Sequence, residues 1–274
     1  MNRLFVAHKP SGIGSNLFLS KLKRKYGTKK AGFSGTLDPF AKGVLVIGFG
    51  SHTKLFRFLN KTPKRYRATL WLGAKSDSLD IEMIENVDFL QPFSYDEVER
   101  CVKSLEGELE YKPPIFSAKR INGKRAYDLA RAGEEVVLNT INSTIYSTKL
   151  LSYNHPFVTF EAEVSEGTYI RSLGRLIAQR LGVEDGSLSA LERLNEGQFF
   201  YDGEKPLDIK KSLNIPLNKY LGDMQNVLYG RVLALEDLEI QKEGTYYLDN
   251  GDNISVITIQ DEQVKYELGR IYIC

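Results

Sequence analysis

Cysteine and histidine are scarce in this chain of 274 residues, numbering two and three. Cys101 and Cys274 frame no disulfide scaffold, so a reducing compartment is expected. His8, His52 and His155 lie far apart with no Cys-x-x-Cys nearby, which speaks against a structural zinc site. There is no Walker A loop, and Gly12-x-Gly14 lacks the third glycine and the strand-to-helix setting of a dinucleotide fingerprint. Long apolar runs are missing as well. The longest, near Gly43 to Gly50, falls far below the ~20 residues that span a bilayer. The start, MNRLFVAHKP, has too short an apolar run for a secretory signal. A soluble cytoplasmic monomer is expected, without membrane or metal partner, whose chemistry comes from side chains alone.

What is present is ordinary globular material. A hydrophobic fraction of 42% and a charged fraction of 26% exclude disorder and collagen-like repeats. The net charge of +2 hides a division: residues 1–76 hold 16 Lys or Arg and one acidic residue, Asp38, against 21 basic and 34 acidic residues over 77–274. A cationic face of that density suits a polyanion whose phosphates release counterions on contact, so nucleic acid is the expected partner. At an effective dielectric of about 20, each cation within 4 Å favours ionised Asp38 by about 4 kcal/mol before desolvation. A lone anion inside a phosphate-attracting region suits a nucleophile or base. Asp before Pro also commonly starts a turn.

The pattern along the chain is α+β. Residues 3–8 read as a strand, and a helix capped by Ser15 or Asn16 runs through Phe18, Leu22 and Tyr26 to Gly27, leaving Lys21, Arg24 and Lys25 outward. Val44 to Ile47 is apolar on both faces, as a central strand needs. From Arg65 to Leu72 the pattern alternates, with Tyr66 and Arg65 on opposite faces. Ser94 and Glu97 form a capping box, and the helix they start ends toward Gly107, closed by the acidic stretch Glu106 to Glu110. Residues 112–133 form a second basic segment with Lys119, Arg120, Lys124, Arg125 and Arg131, and a helical piece at Ala126 to Arg131. Phe157 to Val164 reads as a strand, followed by a helix from Ile170 to Leu181. Arg171 stands in its first turn, where the helix dipole disfavours a cation, so an anion is expected to hold it. From Arg231 onward come short β pieces with 4 basic and 9 acidic residues, a poor phosphate binder.

Gly32-Phe33-Ser34-Gly35-Thr36-Leu37-Asp38-Pro39, followed by Gly43, resembles the GHxGxLDPxAxG signature of the TruB-type tRNA pseudouridine synthases. Lys9-Pro10-x-Gly12 with Ser15-Asn16, Lys64-Arg65-Tyr66, Ser117 to Arg131, Gly167 to Leu173 and Leu191-Glu192-Arg193-Leu194 with Gly197 match further segments in family order. The resemblance spans roughly residues 5–200. It implies a mixed, largely antiparallel sheet flanked by helices over 1–228, with a basic RNA-contacting insertion at about 111–140 and a reduced PUA-like β module at 229–274. It implies isomerisation of the T-loop uridine, position 55, of tRNA, with Asp38 as nucleophile, Arg171 as its ion-pair partner and Tyr66 stacked on an extruded uracil. Lys9, Phe33, Tyr169, Leu191 and Arg120 are its substrate-binding positions. Lys21, Arg24, Lys25, Lys64, Arg65, Lys124 and Arg125 are candidates for the RNA backbone. No metal, nucleotide or redox cofactor is needed.

This chain departs from the family pattern at Phe33, in place of a histidine, at Arg120, in place of a lysine, and at Arg175-Leu176, in place of an acidic pair. Two further readings stand beside the first: a tRNA-folding helper that acts without turnover, and a guide-RNA-dependent synthase of the dyskerin type. The intact Asp38 motif disfavours the former as sole role, and the short acidic tail disfavours the latter.

Overall fold

Strict alternation from Lys64 to Leu72, buried at every second position, makes this strand a middle member of an eight-stranded sheet. The computed structural model describes residues 1–117, 120–121, 124–126, 129 and 138–273. Its strands are β1 (Arg3–Lys9), β2 (Ala31–Ser34), β3 (Lys42–Phe49), β4 (Lys64–Leu72), β5 (Ala74–Ser76), β6 (Ile84–Val87), β7 (Gly107–Tyr111), β8 (Arg120–Ile121), β9 (Lys124–Arg125), β10 (Ile141–Asn154), β11 (Phe157–Val164), β12 (Gly186–Glu196), β13 (Gly244–Asp249), β14 (Asn253–Gln260) and β15 (Gln263–Tyr272). The main sheet runs β1-β3-β12-β4-β11-β10-β7, with β2 added to β3. Three helices matter to the site: α1 (Ser15–Lys25), α2 (Tyr95–Lys103) and α3 (Ile170–Arg180).

The sheet has two halves that meet at a narrow seam. All its pairings are antiparallel except β3 with β12, which run parallel over only Glu192 with Lys42 and Arg193 with Gly43. Gly43 has φ +117, and a Cβ there would lie 2.2 Å from the Arg193 carbonyl oxygen, so only glycine permits this approach. One half packs α2 and α3 over Tyr66, Ala68, Leu70, Val158 and Phe160. In the other half, α1 buries Phe18 and Leu22 against Phe5, Ala7, Leu45 and Ile47. Leu4, Val6, Val44 and Val46 instead meet Ile254, Val256, Leu268 and Ile271 of the C-terminal sheet, β13-β14-β15. The tail is therefore β-rich as expected. A second cluster of the tail begins upstream of residue 229, taking in Tyr220 and Val227 with Leu233, Tyr246 and Ile257.

Several local expectations change. Glu106 to Glu110 does not close a helix: α2 stops at Lys103 and Gly107–Tyr111 is an edge strand against β10. The N-cap of α1 is Gly14, without a side-chain cap, because the Ser15 hydroxyl is engaged elsewhere. The expected helical piece from Ala126 to Arg131 lies mostly outside the described residues. The capping box of Ser94 and Glu97 forms as read.

Candidate active site

Asp38 sits in the connection from β2 to β3, and the segment Lys9 to Ser15 holds that connection down. The Ser15 hydroxyl donates to the Leu37 carbonyl (2.8 Å) and accepts from the Leu37 amide (3.0 Å). The Ser11 hydroxyl donates to the Phe40 carbonyl at 2.6 Å, and the Gly12 amide to that of Pro39 at 2.9 Å. Lys9 is fully buried, its ammonium donating to the carbonyls of Ile13 (2.7 Å), Pro10 (3.0 Å) and Pro39 (3.3 Å). Burial pushes the Lys9 ammonium down to about 8, against the attraction of Asp38. The expected substrate contact at Lys9 is thus not what its geometry offers: three backbone carbonyls occupy it beneath the loop.

The anion expected at Arg171 is double. Its Nε lies 3.0 Å from Asp38 Oδ2 and its Nη2 3.2 Å from Oδ1, a two-pronged clasp. Nη1 donates to the Ser78 carbonyl at 2.6 Å and faces Asp80 Oδ2 at 3.5 Å, while Nη2 also reaches the Phe116 carbonyl at 2.8 Å. Asp80 is buried and accepts from the Ser78 hydroxyl (2.6 Å) and the Glu82 amide (3.0 Å). Between them Leu79 takes φ +59, a strained value for a branched residue, and so turns Ser78 and Asp80 toward the guanidinium. Sequence reading missed Asp80, because Ser76-Asp77-Ser78-Leu79-Asp80 looks like turn material with two equivalent aspartates.

Asp38 keeps 34% of its side chain open to the cleft, while Arg171 keeps 5%. Burial raises the Asp38 carboxyl above its ordinary value, Arg171 opposes the rise, and Asp80 adds to it. This reverses the direction expected from counting cations, because desolvation outweighs them. The result is a weakly solvated, oriented oxygen beside a cavity of about 290 Å³.

Tyr66, Leu191 and Tyr169 line that cavity together with Lys64, Arg171 and Arg193. Tyr66 and Lys64 share one face of β4 by alternation, and Leu191 and Arg193 share one face of β12. Arg193, unforeseen as a site residue, is fully buried and ties the walls together. Its Nε donates to the Val44 carbonyl (2.8 Å) and its Nη2 to the Gly35 carbonyl (3.2 Å), and Nη2 forms an ion pair with Glu196 Oε1 at 2.8 Å. Burial works against its charge, but Glu196 and the Tyr66 hydroxyl more than restore it, so its pKa is raised. The Ser117 hydroxyl, also in the wall, is buried and unpaired among the described residues. The Tyr169 amide is anchored by the Tyr111 hydroxyl at 3.0 Å.

Other expected positions lie elsewhere. Arg65 projects from the sheet face opposite Tyr66 and pairs with Glu161, so it does not reach the cavity. The Phe33 ring packs beside the α1 cluster and is not among the cavity-lining residues, because alternation along β2 turns it to that side. Lys21 and Arg24 are exposed on α1, whereas Lys25 is paired with Glu204 at 2.5 Å. Arg120, Lys124 and Arg125 belong to the β8–β9 ladder, Arg120 opposite Arg125; their side chains lie outside the described residues.

A family profile described as TruB family pseudouridylate synthase (N terminal domain) matches residues 23–170. The fold is that of a pseudouridine synthase, an isomerase. A protein of Sulfurimonas denitrificans called tRNA pseudouridine synthase B is 73% identical over 271 residues, covering 99% of each chain. One of that name from Campylobacter jejuni (strain RM1221) is 48% identical over the full length of both. The chain belongs to the TruB family. A chain in the crystal structure of a Cbf5-Nop10-Gar1 complex superposes with a TM-score of 0.66 at 20% identity, over 99% of this chain and 84% of that one, which shows the shared fold.

Proposed function

We propose that this protein converts the T-loop uridine, position 55, of tRNA to pseudouridine in the cytoplasm, acting as a monomer, with Asp38 as nucleophile. The observation that carries the reading is the Asp38 carboxylate, clasped by Arg171 and open to a cavity walled by Tyr66 and Leu191. Attack by a carboxylate oxygen on C1′ forms an acylal-type ester and expels uracil N1 with the bonding pair. The freed base turns, its C5 attacks C1′, the ester bond returns its pair to Asp38, and a proton passes from C5 as N1 gains one. Attack on C6 uses the same oxygen. In either route the cavity retains the base and Arg171 keeps both oxygens aimed.

A base inside a folded T-loop must leave its stack, at a cost of a few kcal/mol that aromatic contact offsets. Tyr66 and Tyr169 supply that contact. The names of the TruB relatives support tRNA over a guided rRNA substrate. Domain limits of 1–228 and 229–274 and RNA contact by the 111–140 insertion remain part of this proposal. Incubating purified protein with a bare T-arm stem-loop and mapping pseudouridine tests it: conversion at position 55 alone is expected, and no conversion without a guide RNA overturns it.

A further inference from the structure

Lys64 is an unusual neighbour for a substrate cavity. Its side chain is 7% exposed, and a charge so withdrawn from water is costly unless it is paired. Two carboxylates are near. Glu196 Oε2 lies 4.0 Å away, but Glu196 is fully buried and committed to Arg193 at 2.8 Å and to the Ser34 hydroxyl at 3.1 Å. Glu166 Oε1 lies 3.4 Å from Lys64 Nζ and 3.5 Å from Lys61 Nζ. Both distances exceed the 2.7–2.9 Å of a well-formed charge-assisted bond. Glu166 stands on the turn between β11 and α3, next to Gly167 at φ +86, with 58% of its side chain exposed. The two lysines hold its carboxyl below the ordinary range, against the effect of burial. One loosely held, outward carboxylate thus bridges two ammonium groups at the lip of the cavity that also holds Asp38.

We infer that Lys61 and Lys64 form a phosphate subsite for the RNA strand, and that Glu166 occupies it in the free enzyme as an exchangeable internal anion. This deepens the proposed function and rests on its RNA substrate. A phosphodiester carries the same single negative charge as the carboxylate, so the exchange leaves the site's charge balance unaltered. Lys64 is then never unpaired, and Glu166, already largely in water, swings outward at little desolvation cost. The carboxylate competes with any polyanion entering the lip, so Glu166 lowers RNA affinity and selects for strands whose phosphate arrives with a base seated in the cavity.

The test is equilibrium binding of the T-arm stem-loop across a salt series to wild type, Glu166→Gln, Lys61→Gln and the double variant, with pseudouridine formation by wild type measured in parallel. Glu166→Gln is expected to bind about threefold or more tightly at moderate salt, with a log–log salt slope steeper by up to about one, since a solution anion now neutralises the lysines and is released by RNA. Lys61→Gln is expected to bind more weakly, and the double variant to fall short of additivity. An active wild type with unchanged affinity and slope in Glu166→Gln overturns the subsite while leaving the proposed function standing. A wild type that neither binds nor isomerises the RNA overturns the proposed function, and this subsite with it.

Discussion

Ser15 and Leu37 exchange two hydrogen bonds across 22 positions of sequence, the Ser15 hydroxyl donating to the Leu37 carbonyl and accepting from its amide. Both residues are buried. A hydroxyl that would ordinarily cap α1 thereby fixes the residue before Asp38 on both its backbone polar groups.

Replacing that hydroxyl leaves a buried amide and carbonyl without their partner. Ser15→Ala is expected to lose about 1–3 kcal/mol of stability and to slow single-turnover conversion by an order of magnitude or more by loosening Asp38. Urea denaturation and a quenched single-turnover assay check the two effects. A stable variant with the wild-type rate would show that the loop is held by its other clamps.

Gly43 is where the two halves of the sheet touch. Gly43→Ala would place a methyl group 2.2 Å from the Arg193 carbonyl oxygen at a backbone angle of +117°. The expected cost is about 3 kcal/mol or more, seen as a fall in the urea midpoint, with loss of activity because Arg193 also holds Gly35. Gly14→Ala, with open space around its Cβ, is the control and should be mild.

Much of this was legible in the sequence because it is local. Periodicity placed β4, β11, α1 and α3, and it put Tyr66 and Arg65 on opposite faces, as the sheet confirms. The dipole argument at Arg171 correctly called for an anion. What escaped was long-range. β12 carries the mixed run Ser187-Leu188-Ser189-Ala190-Leu191-Glu192-Arg193, whose polar members are acceptable only because Arg193 finds Glu196, Gly35 and Val44 across the seam. Asp80 escaped for the same reason, since its partner stands 91 residues away. The direction of the Asp38 shift escaped because charge can be counted along a chain and burial cannot.

The pH dependence follows from that shift. Only ionised Asp38 attacks, so activity falls as pH drops through its folded-state value, which burial has raised above the ordinary 3.8. Asp80→Asn removes a like charge that adds to the rise, so its acidic limb should move to lower pH; a move to higher pH would contradict the assignment. Stability has the opposite sense. A carboxyl with a raised folded-state value favours folding below the ordinary value and loses that contribution as pH rises through the shifted one. Asp38→Asn should therefore melt at or above the wild-type temperature at pH 7.

The basic face of α1 predicts a salt signature. Lys21 and Arg24 are exposed, and Lys23, Arg24 and Lys29 border a shallow groove with Ser20 and Thr28. Charge reversal at Lys21 and Arg24 together should weaken RNA binding and reduce the log–log salt slope by about one to two. An unchanged slope would remove α1 from the interface.

The most direct measurement is single-turnover conversion of a T-arm stem-loop by wild type and Asp38→Asn, with pseudouridine mapped by position and RNA affinity measured on the same preparations. The expected result is conversion at position 55 by wild type and none by Asp38→Asn, with affinity changed by less than about tenfold, because a nucleophile acts on the barrier and not on ground-state binding. Turnover by Asp38→Asn near the wild-type rate would contradict the role assigned to this carboxylate.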